Sequence, residues 1–348
     1  AADAKISTRQ LDGVVRFAIE TSLNDGALAS ALGCDGFRFS AETHNGGGYA
    51  PATVAIAAAA VEAGDASAVV CFRALNMRSM KGRETTLLGD RPGAGDAARN
   101  HLRPYGWTLD LFPMLTRRHM AVHGTTELDL WRVIDVARTH AQSNPAALRP
   151  QALSMDEYLA EPFEIEPLRS ADRLMMCDGA WAVVVMSREL AESVGADYVP
   201  ILASCQATAT PRGSWEAFVF NEDILNTPAS AVGRALFGSG EFSRSAVTSV
   251  QMYDCFSILP LMLLEAFGFC APGQAGAFLD GGTALVDGAL PINTHGGNLA
   301  EGYSHGFSHI LEGVRQERGT SSNQLSRTGQ TLVIGGSPSP CSALILGR

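Results

Sequence analysis

Short apolar runs alternate with amphipathic or alanine-rich stretches along the chain, the pattern of an α/β fold. Gly13–Ala18 (GVVRFA) and Gly36–Ser40 (GFRFS) read as strands. Ala50–Ala63 is rich in alanine, has no internal glycine and stops at Gly64, which predicts a helix with a glycine stop signal. Ala68–Phe72 (AVVCF) then reads as a buried strand. From Arg83 to Arg118 the periodicity is lost and Gly, Pro and Arg become frequent, as in a loop excursion. A helix is predicted over Leu128–Ser143, and Asn144–Pro145 ends it because the residue before proline avoids the α region. Ala180–Met186 (AWAVVVM) is a further buried strand.

Tyr198–Ser204 opens a second set. It continues with a helix over Leu259–Phe267, a glycine-dense stretch at Gly296–Gly306 and a helix over Phe307–Gln316. Strands at Thr331–Ile334 and Ser342–Leu346 close it. A glycine-rich turn opens a helix in both halves, so the chain predicts two related βαβ-type lobes with an inserted region.

Composition narrows the class. Hydrophobic residues at 46% and charged ones at 18% exclude a disordered chain. With 26 basic against 36 acidic residues the net charge is −10, and no basic block occurs, which argues against nucleic acid or an anionic membrane as partner. No apolar run reaches membrane-span length and the first residues are polar, so neither a span nor a signal peptide is expected. The seven cysteines form no CxxC pair, and Cys255 and Cys270 are too isolated for a zinc site. A reduced, cytoplasmic protein without a bound metal is the expectation.

Four segments carry candidate chemistry. In Glu42-Thr43-His44-Asn45-Gly46-Gly47-Gly48-Tyr49, consecutive glycines before a helix let a ligand approach the backbone, or serve only close packing. The stretch does not fit the phosphate-binding GxxxxGK[ST] pattern. Tyr253-Asp254-Cys255-Phe256 lies between a strand and a helix, where α/β sheets place active sites. There Asp254 is also a plausible helix cap and Cys255 a small buried hydrophobe. Asn293–Gly306 gathers four glycines, two histidines and Tyr303, a density typical of loops around a ligand. Gly335–Cys341 is a stiff turn able to offer backbone donors.

In these segments the chain resembles the thiolase superfamily, in its sterol-carrier-protein and lipid-transfer branch. Members of that branch carry His-Asp-Cys-Phe where this chain has Tyr253-Asp254-Cys255-Phe256. They carry Asn-Pro-Ser-Gly-Gly-Leu leading into Gly-His-Pro where it has Asn293-Thr294-His295-Gly296-Gly297-Asn298 leading into Gly302-Tyr303-Ser304. Gly124-Thr125-Thr126, Asn144-Pro145, Pro167-Leu168, Asp178-Gly179-Ala180 and Gln316-Glu317-Arg318-Gly319 match as well. The resemblance runs from about residue 12 to the end. It implies a thiolase-like fold of two βαβαβ-type lobes in a five-layered α-β-α-β-α arrangement. The N-terminal lobe would span 1–95, lacking the family's first strand and helix and completed by about 176–192. A loop domain would occupy 96–175 and the C-terminal lobe 193–348.

The departures from the family are informative. A thiolase needs a nucleophilic cysteine before the alanine-rich helix, where Gly46–Gly48 stand here, and the family's acid/base cysteine of the second half is also missing, since no cysteine occurs between Cys270 and Cys341. Both motif histidines are tyrosines. The chain therefore resembles the thiolase-like aldolases that shorten steroid side chains, and Val70–Asn76 fits that subgroup too. The resemblance implies retro-aldol cleavage of a 17-hydroxy steroid acyl-CoA with a three-carbon side chain, giving a 17-ketosteroid and propionyl-CoA. It implies a homodimer through the N-terminal lobe, a small OB-fold/zinc-ribbon protein partner, and no cofactor beyond the CoA of the substrate. On this reading Tyr303 is the base and Tyr253 the acid, without a covalent intermediate, and Asp254 supports them. A tyrosinate needs a hydrogen-bond or charge partner, for which His295 or His305 are candidates. Backbone N–H groups of Gly47, Gly48 or Gly336 would hold the thioester oxygen. Arg73, Arg78 and Arg83 are expected at the surface or a dimer interface. The competing readings are a catalytically silent subunit that binds acyl-CoA or sterol, and a non-standard acyltransferase.

Overall fold

A computed structural model describes residues 1–17, 24–43, 46–79, 108–208, 222–327, 329–336 and 340–347. The first sheet contains β1 (Gly13–Phe17), β2 (Phe39–Thr43), β3 (Ala68–Asn76) and β6 (Asp178–Met186), in the order β2-β1-β3-β6. β1 runs parallel to both neighbours, and β6 closes the sheet antiparallel to β3. The second sheet contains β7 (Ile201–Ala207), β8 (Val247–Met252), β9 (Gln330–Gly336) and β10 (Cys341–Gly347), in the order β7-β10-β9-β8. Again a parallel pair, β8 and β9, is followed by an antiparallel strand, β10.

Helices fill the spaces these strands leave. On β3, alternate residues face opposite ways. Val70 and Phe72 pack outward against Leu28 and Leu32 of α1 (Asp25–Leu32), while Val69 and Cys71 face inward. Between the sheets lie α2 (Ala50–Glu62) and α11 (Phe307–Arg318), where Val54 and Ile310 meet Val15 and Phe17 from one sheet and Val333 and Leu344 from the other. Outside the second sheet lie α7 (Pro228–Gly238) and α8 (Ile258–Ala266), the latter buried over nearly its whole length. The layers therefore run helix, sheet, helix, sheet, helix. Burying an apolar side chain stabilises by about 1.5–3 kcal/mol, so a helix layer shared by two sheets locks the lobes together.

Between β3 and β6 the chain forms α3 (Thr108–His123), α4 (Glu127–Ala141), α5 (Met155–Ala160) and the hairpin β4 (Phe163–Ile165) and β5 (Leu168–Arg169). This region joins the second lobe's core, where the rings of Phe112 and Phe256 stack at 4.2 Å. Three details differ from the sequence reading. α3 begins inside the stretch expected to be loop, because its buried Leu111, Phe112 and Leu115 form an apolar stripe that Pro113 obscures in the sequence. β2 is Phe39–Thr43 rather than Gly36–Ser40, since Gly36 has φ +131° and the ladder starts where Phe39 pairs with Gly13. β7 starts at Ile201 rather than Tyr198, and Pro200 just before it has no N–H to give a ladder. His44, Arg83 and Ser337–Ser339 lie outside the described residues. No helix among the described residues is long and apolar enough to cross a membrane. The short helices α6 (Arg188–Ser193) and α9 (Ala275–Leu279) complete the numbering, with α10 (Gly297–Ala300) lying under the site.

Candidate active site

Tyr253 follows β8 directly, and its N–H donates to the carbonyl of Ile334 (2.9 Å), extending the β8–β9 ladder by one residue. That bond fixes the residue at the C-terminal end of a parallel strand, where α/β sheets present reactive groups. Tyr303 comes from the loop between α10 and α11. Its N–H donates to the carbonyl of Met175 (2.9 Å), and its own carbonyl accepts from the Cys177 thiol (3.2 Å). The segment leading into β6 thus clamps the loop, since Met175 also donates to Asn298 O (3.3 Å) and Leu174 to Cys255 O (2.8 Å).

The two phenols meet. Tyr253 Oη and Tyr303 Oη share a hydrogen bond of 3.1 Å, with both residues buried. Space for the Tyr253 ring is made by glycine. A Cβ placed on Gly47, in the Gly46–Tyr49 turn that opens α2, would stand 1.9 Å from Cε2 of that ring, and one on Gly306 would stand 3.4 Å from Cδ2. The glycine at 47 is therefore a steric condition for the phenol at 253.

Burial pushes both phenols above the ordinary tyrosine value of 10, because the ionised form loses its hydration. The neighbours then separate them. At Tyr303 the bond from Tyr253 and the charge of Arg73 pull downward, against the nearby Cys255. At Tyr253, Cys255 and Tyr303 add to the upward push. Cys255 lies in hydrogen-bond contact with Tyr253, and burial raises its thiol so that it stays protonated. Cys177 is raised to about 11 by the same cause. Thiols therefore stand beside the phenols, but not thiolates.

The remaining candidates divide into those the fold brings to the phenols and those it does not. His305 is brought in: its ring lies 4.3 Å from that of Tyr303, tilted by 43°. Its Nδ1 accepts from Arg73 Nε at 3.3 Å. Burial and the Arg73 charge hold this imidazole well below the ordinary histidine range, so it is neutral. A cation beside the site is Arg73, buried to 1% exposure within the chain on β3 rather than lying at the surface or a dimer interface, where the sequence reading put it. His295 faces elsewhere. Its Nε2 is 3.3 Å from Ser308 Oγ and 3.5 Å from Glu301, beneath α11. Burial together with His309, Arg315 and His140 keeps it uncharged, so it is not the tyrosinate's charge partner.

Asp254 also points away from the phenols. It accepts from Asn298 N (2.8 Å) and Leu299 N (3.4 Å) at the start of α10, and from His309 Nε2 (3.0 Å). It caps a helix 44 residues away rather than the one that follows it. Its carboxylate would lie only 2.0 Å from a Cβ at position 297, where φ is +61°, so glycine is required there twice over. Through α10, Asp254 holds the loop that carries Tyr303. Gly48 packs on the Pro340 carbonyl, 2.3 Å from where a Cβ would stand, and its own carbonyl accepts from Ser342 Oγ (2.7 Å). Gly336 pairs with Cys341 and faces Leu263 of α8. Its neighbour Gly335, not Gly336, faces Gly47. A cavity of about 1150 Å³ runs along β6 beside Val54, Val183 and Ile310, and neither phenol lines it.

Arg73, Cys255, Cys177 and His309 carry the site's electrostatics and support without having been singled out for it. For Arg73 a signal was present: in AVVCFRALN the period of two places it on the inward face with Val69 and Cys71.

Residues 213–348 match the family model described as thiolase C-terminal domain-like. The chain is 36% identical to the 17-hydroxy-3-oxo-4-pregnene-20-carboxyl-CoA lyase of Mycobacterium tuberculosis, across 99% of this chain and 91% of that one. It is 35% identical to the steroid side-chain-cleaving aldolase of Thermomonospora curvata, across 99% and 90%. Among solved structures it is similar to one titled Ltp2-ChsH2(DUF35) aldolase, with a TM-score of 0.89 and 35% identity, covering 100% of this chain and 89% of that one. With near-complete coverage at this identity, and tyrosines where the thiolase motifs hold histidines, the chain belongs to the steroid side-chain-cleaving aldolases of the thiolase superfamily.

Proposed function

We propose that this chain cleaves a 17-hydroxy steroid acyl-CoA with a three-carbon side chain to a 17-ketosteroid and propionyl-CoA, using its two tyrosines as acid and base. The observation that carries this reading is the 3.1 Å contact between two buried phenols on a glycine floor. A directly bonded phenol pair is able to hold one proton less than two separate phenols, leaving one tyrosinate stabilised by its partner.

The steps balance without a covalent link to the protein. Tyr303 phenolate removes the proton of the substrate hydroxyl, and that O–H pair becomes the π bond of the ketone. The carbon–carbon bond to the side chain breaks, and its electrons pass into the thioester as an enolate. Tyr253 gives its proton to the enolate carbon. Tyr303 then returns a proton to Tyr253 across their hydrogen bond, restoring the starting state. On this reading backbone N–H groups of the Gly47–Gly48 turn receive the enolate oxygen, at the start of α2 where Tyr49 provides no side-chain cap. CoA enters as part of the substrate, and no other cofactor is needed. Protonated thiols at Cys255 and Cys177 do not favour acyl transfer through a thioester.

The similar solved structure is titled with two components. We read this chain likewise as one part of a cytoplasmic heteromer, on a homodimer formed through its N-terminal lobe, with a small OB-fold/zinc-ribbon protein as partner. The test is release of propionyl-CoA from the steroid thioester by the chain with that partner. Tyr303→Phe and Tyr253→Phe should each lower turnover by about 10²–10⁴-fold. Wild-type turnover by both variants would remove the phenols from the chemistry. Tight thioester binding without any product would favour a silent subunit.

A further inference from the structure

The residue that follows each phenol is polar and buried: Asp254 after Tyr253, and Ser304 after Tyr303. The first turn of α11 joins these two. Asp254 Oδ1 accepts from His309 Nε2 at 3.0 Å, and Nδ1 of the same imidazole lies 3.3 Å from Ser308 Oγ. The Ser308 and Ser304 hydroxyls share a hydrogen bond of 2.7 Å, and Ser304 Oγ accepts from Ser308 N at 3.0 Å. A second path closes the circuit. Ser304 N donates to Asn298 Oδ1 at 3.2 Å, and Asn298 N donates to Asp254 Oδ1 at 2.8 Å. All five residues are at most 1% exposed. A buried polar circuit of this kind favours one geometry, because a group drawn out of line loses a bond that bulk water does not replace. The His309 ring is held from its side as well, by the His295 ring at 4.9 Å and 74°.

We propose that His309 is a positioning residue that sets the two phenols at bonding distance, by tying the chain beside Tyr253 to the chain beside Tyr303. The inference rests on the tyrosine reading above and deepens it. It names what holds the pair together and is the same whichever phenol gives or takes the proton. Tyr253 N to Ile334 O and Tyr303 N to Met175 O fix each phenol to a different segment, and neither bond sets one phenol against the other. The His309 circuit does, since each of its ends lies one residue from a phenol. Both nitrogens of the imidazole are used for this. Satisfying the Asp254 carboxylate takes only Nε2, whereas the contact at Nδ1 carries the constraint through Ser308 to Ser304. Buried beneath the loop at 1% exposure, His309 acts through the placing of the phenols, so its loss should fall on kcat and not on KM.

The experiment compares His309→Gln and His309→Asn in the complex with its partner. Glutamine keeps an N–H directed at Asp254 and gives up the Nδ1 contact, and asparagine does the reverse. A displacement of about 1 Å at the reacting groups costs about 10²-fold in rate, so each variant should lower kcat by about 10–10²-fold with KM unchanged. In a Tyr303→Phe background the same substitutions should cost little more, because the pair they set is already gone. Independently of substrate, ultraviolet resonance Raman reads the hydrogen bonding of tyrosine hydroxyls. The change that Tyr303→Phe produces at Tyr253 should recur in both His309 variants. Wild-type kcat in His309→Gln, an equal further loss in the Tyr303→Phe background, or Raman bands like those of the wild type overturns the proposal. Should both His309 variants fail to fold, Ser308→Ala breaks the circuit at its middle and decides by the same readouts. If both tyrosine-to-phenylalanine variants retain full turnover, the reaction reading fails, whereas the Raman comparison still decides whether His309 sets the phenol contact.

Discussion

The contact between Gly47 and the Tyr253 ring makes a prediction that depends only on shape. In Gly47→Ala the new methyl would lie 1.9, 2.3 and 2.4 Å from three carbons of the ring. Ordinary carbon–carbon contact is about 3.5–4.0 Å, so ring and turn must part by roughly 1.5–2 Å. Neither yields easily. The ring has Gly306 on another side and its hydroxyl is bonded to Tyr303, while Gly47's carbonyl faces Gly335 and Gly306. Overpacking of this kind costs about 1–3 kcal/mol of stability. A displacement of about 1 Å at the reacting groups is enough to cost about 10²-fold in rate. Gly47→Ala should therefore lower kcat by 10²-fold or more, with a fall in Tm of only a few degrees. Gly47→Cys should fail in the same way and show no acyl adduct by intact mass. A double-mutant cycle with Tyr253→Ala isolates the clash, because the alanine methyl then enters space the ring has vacated. The coupling should exceed about 1 kcal/mol, with the double variant more stable than the sum of the singles. Wild-type kcat and Tm in Gly47→Ala would show that the ring does not lie on this glycine, and the steric link between the two positions would be lost.

Three further outcomes follow from the surroundings of the site. Asp254→Asn weakens the bonds from Asn298, Leu299 and His309, so stability should fall by about 1.5–3 kcal/mol and turnover should drop as the Tyr303 loop loosens; denaturant unfolding and steady-state rates check both. Cys255→Ala removes a protonated thiol rather than a nucleophile, so kcat should stay within about tenfold of wild type, and a complete loss would restore acyl transfer as a contender. Burial raises Glu301 from 4.5 to about 7 in the folded protein. Its proton is held more tightly folded than unfolded, so stability falls as pH rises from about 4.5 to about 7 and is level above. Glu301→Gln should remove a slope worth on the order of 3 kcal/mol, measured as the difference between variant and wild type at pH 5 and pH 8; parallel curves would refute it.

Local pattern carried the frame of this fold, since the period of the apolar residues and the glycine stops are set by neighbours in sequence. The Ala50–Glu62 helix and the β6 and β10 strands fall where that pattern puts them. It did not carry α3, whose apolar stripe is interrupted by Pro113, nor the start of β2, which is set by pairing with Gly13 across the sheet. At the site the same division holds. The two tyrosines are legible from the residues they replace in a known motif, but no local rule brings them together. That needs β8, the loop after α10 and the segment before β6 in register, through bonds such as Tyr253 N to Ile334 O and Tyr303 N to Met175 O. His295 looked like a charge partner because it shares a loop with Tyr303, yet its ring turns beneath α11 to Ser308 and Glu301.

The charge at the site comes instead from the other lobe, and this bears on how a thiolase frame becomes an aldolase. A phenol at 253 excludes any side chain at 47. Loss of the nucleophile and gain of the acid are therefore one sterically linked change rather than two. Burial pushes both phenols away from ionising, and at Tyr303 the bond from Tyr253 and the charge of Arg73 oppose that push. Two positions distant in sequence, 47 and 253, must then suit one another before the phenol pair can form, and a variant that adds a side chain at 47 should disable the chemistry while leaving the fold in place.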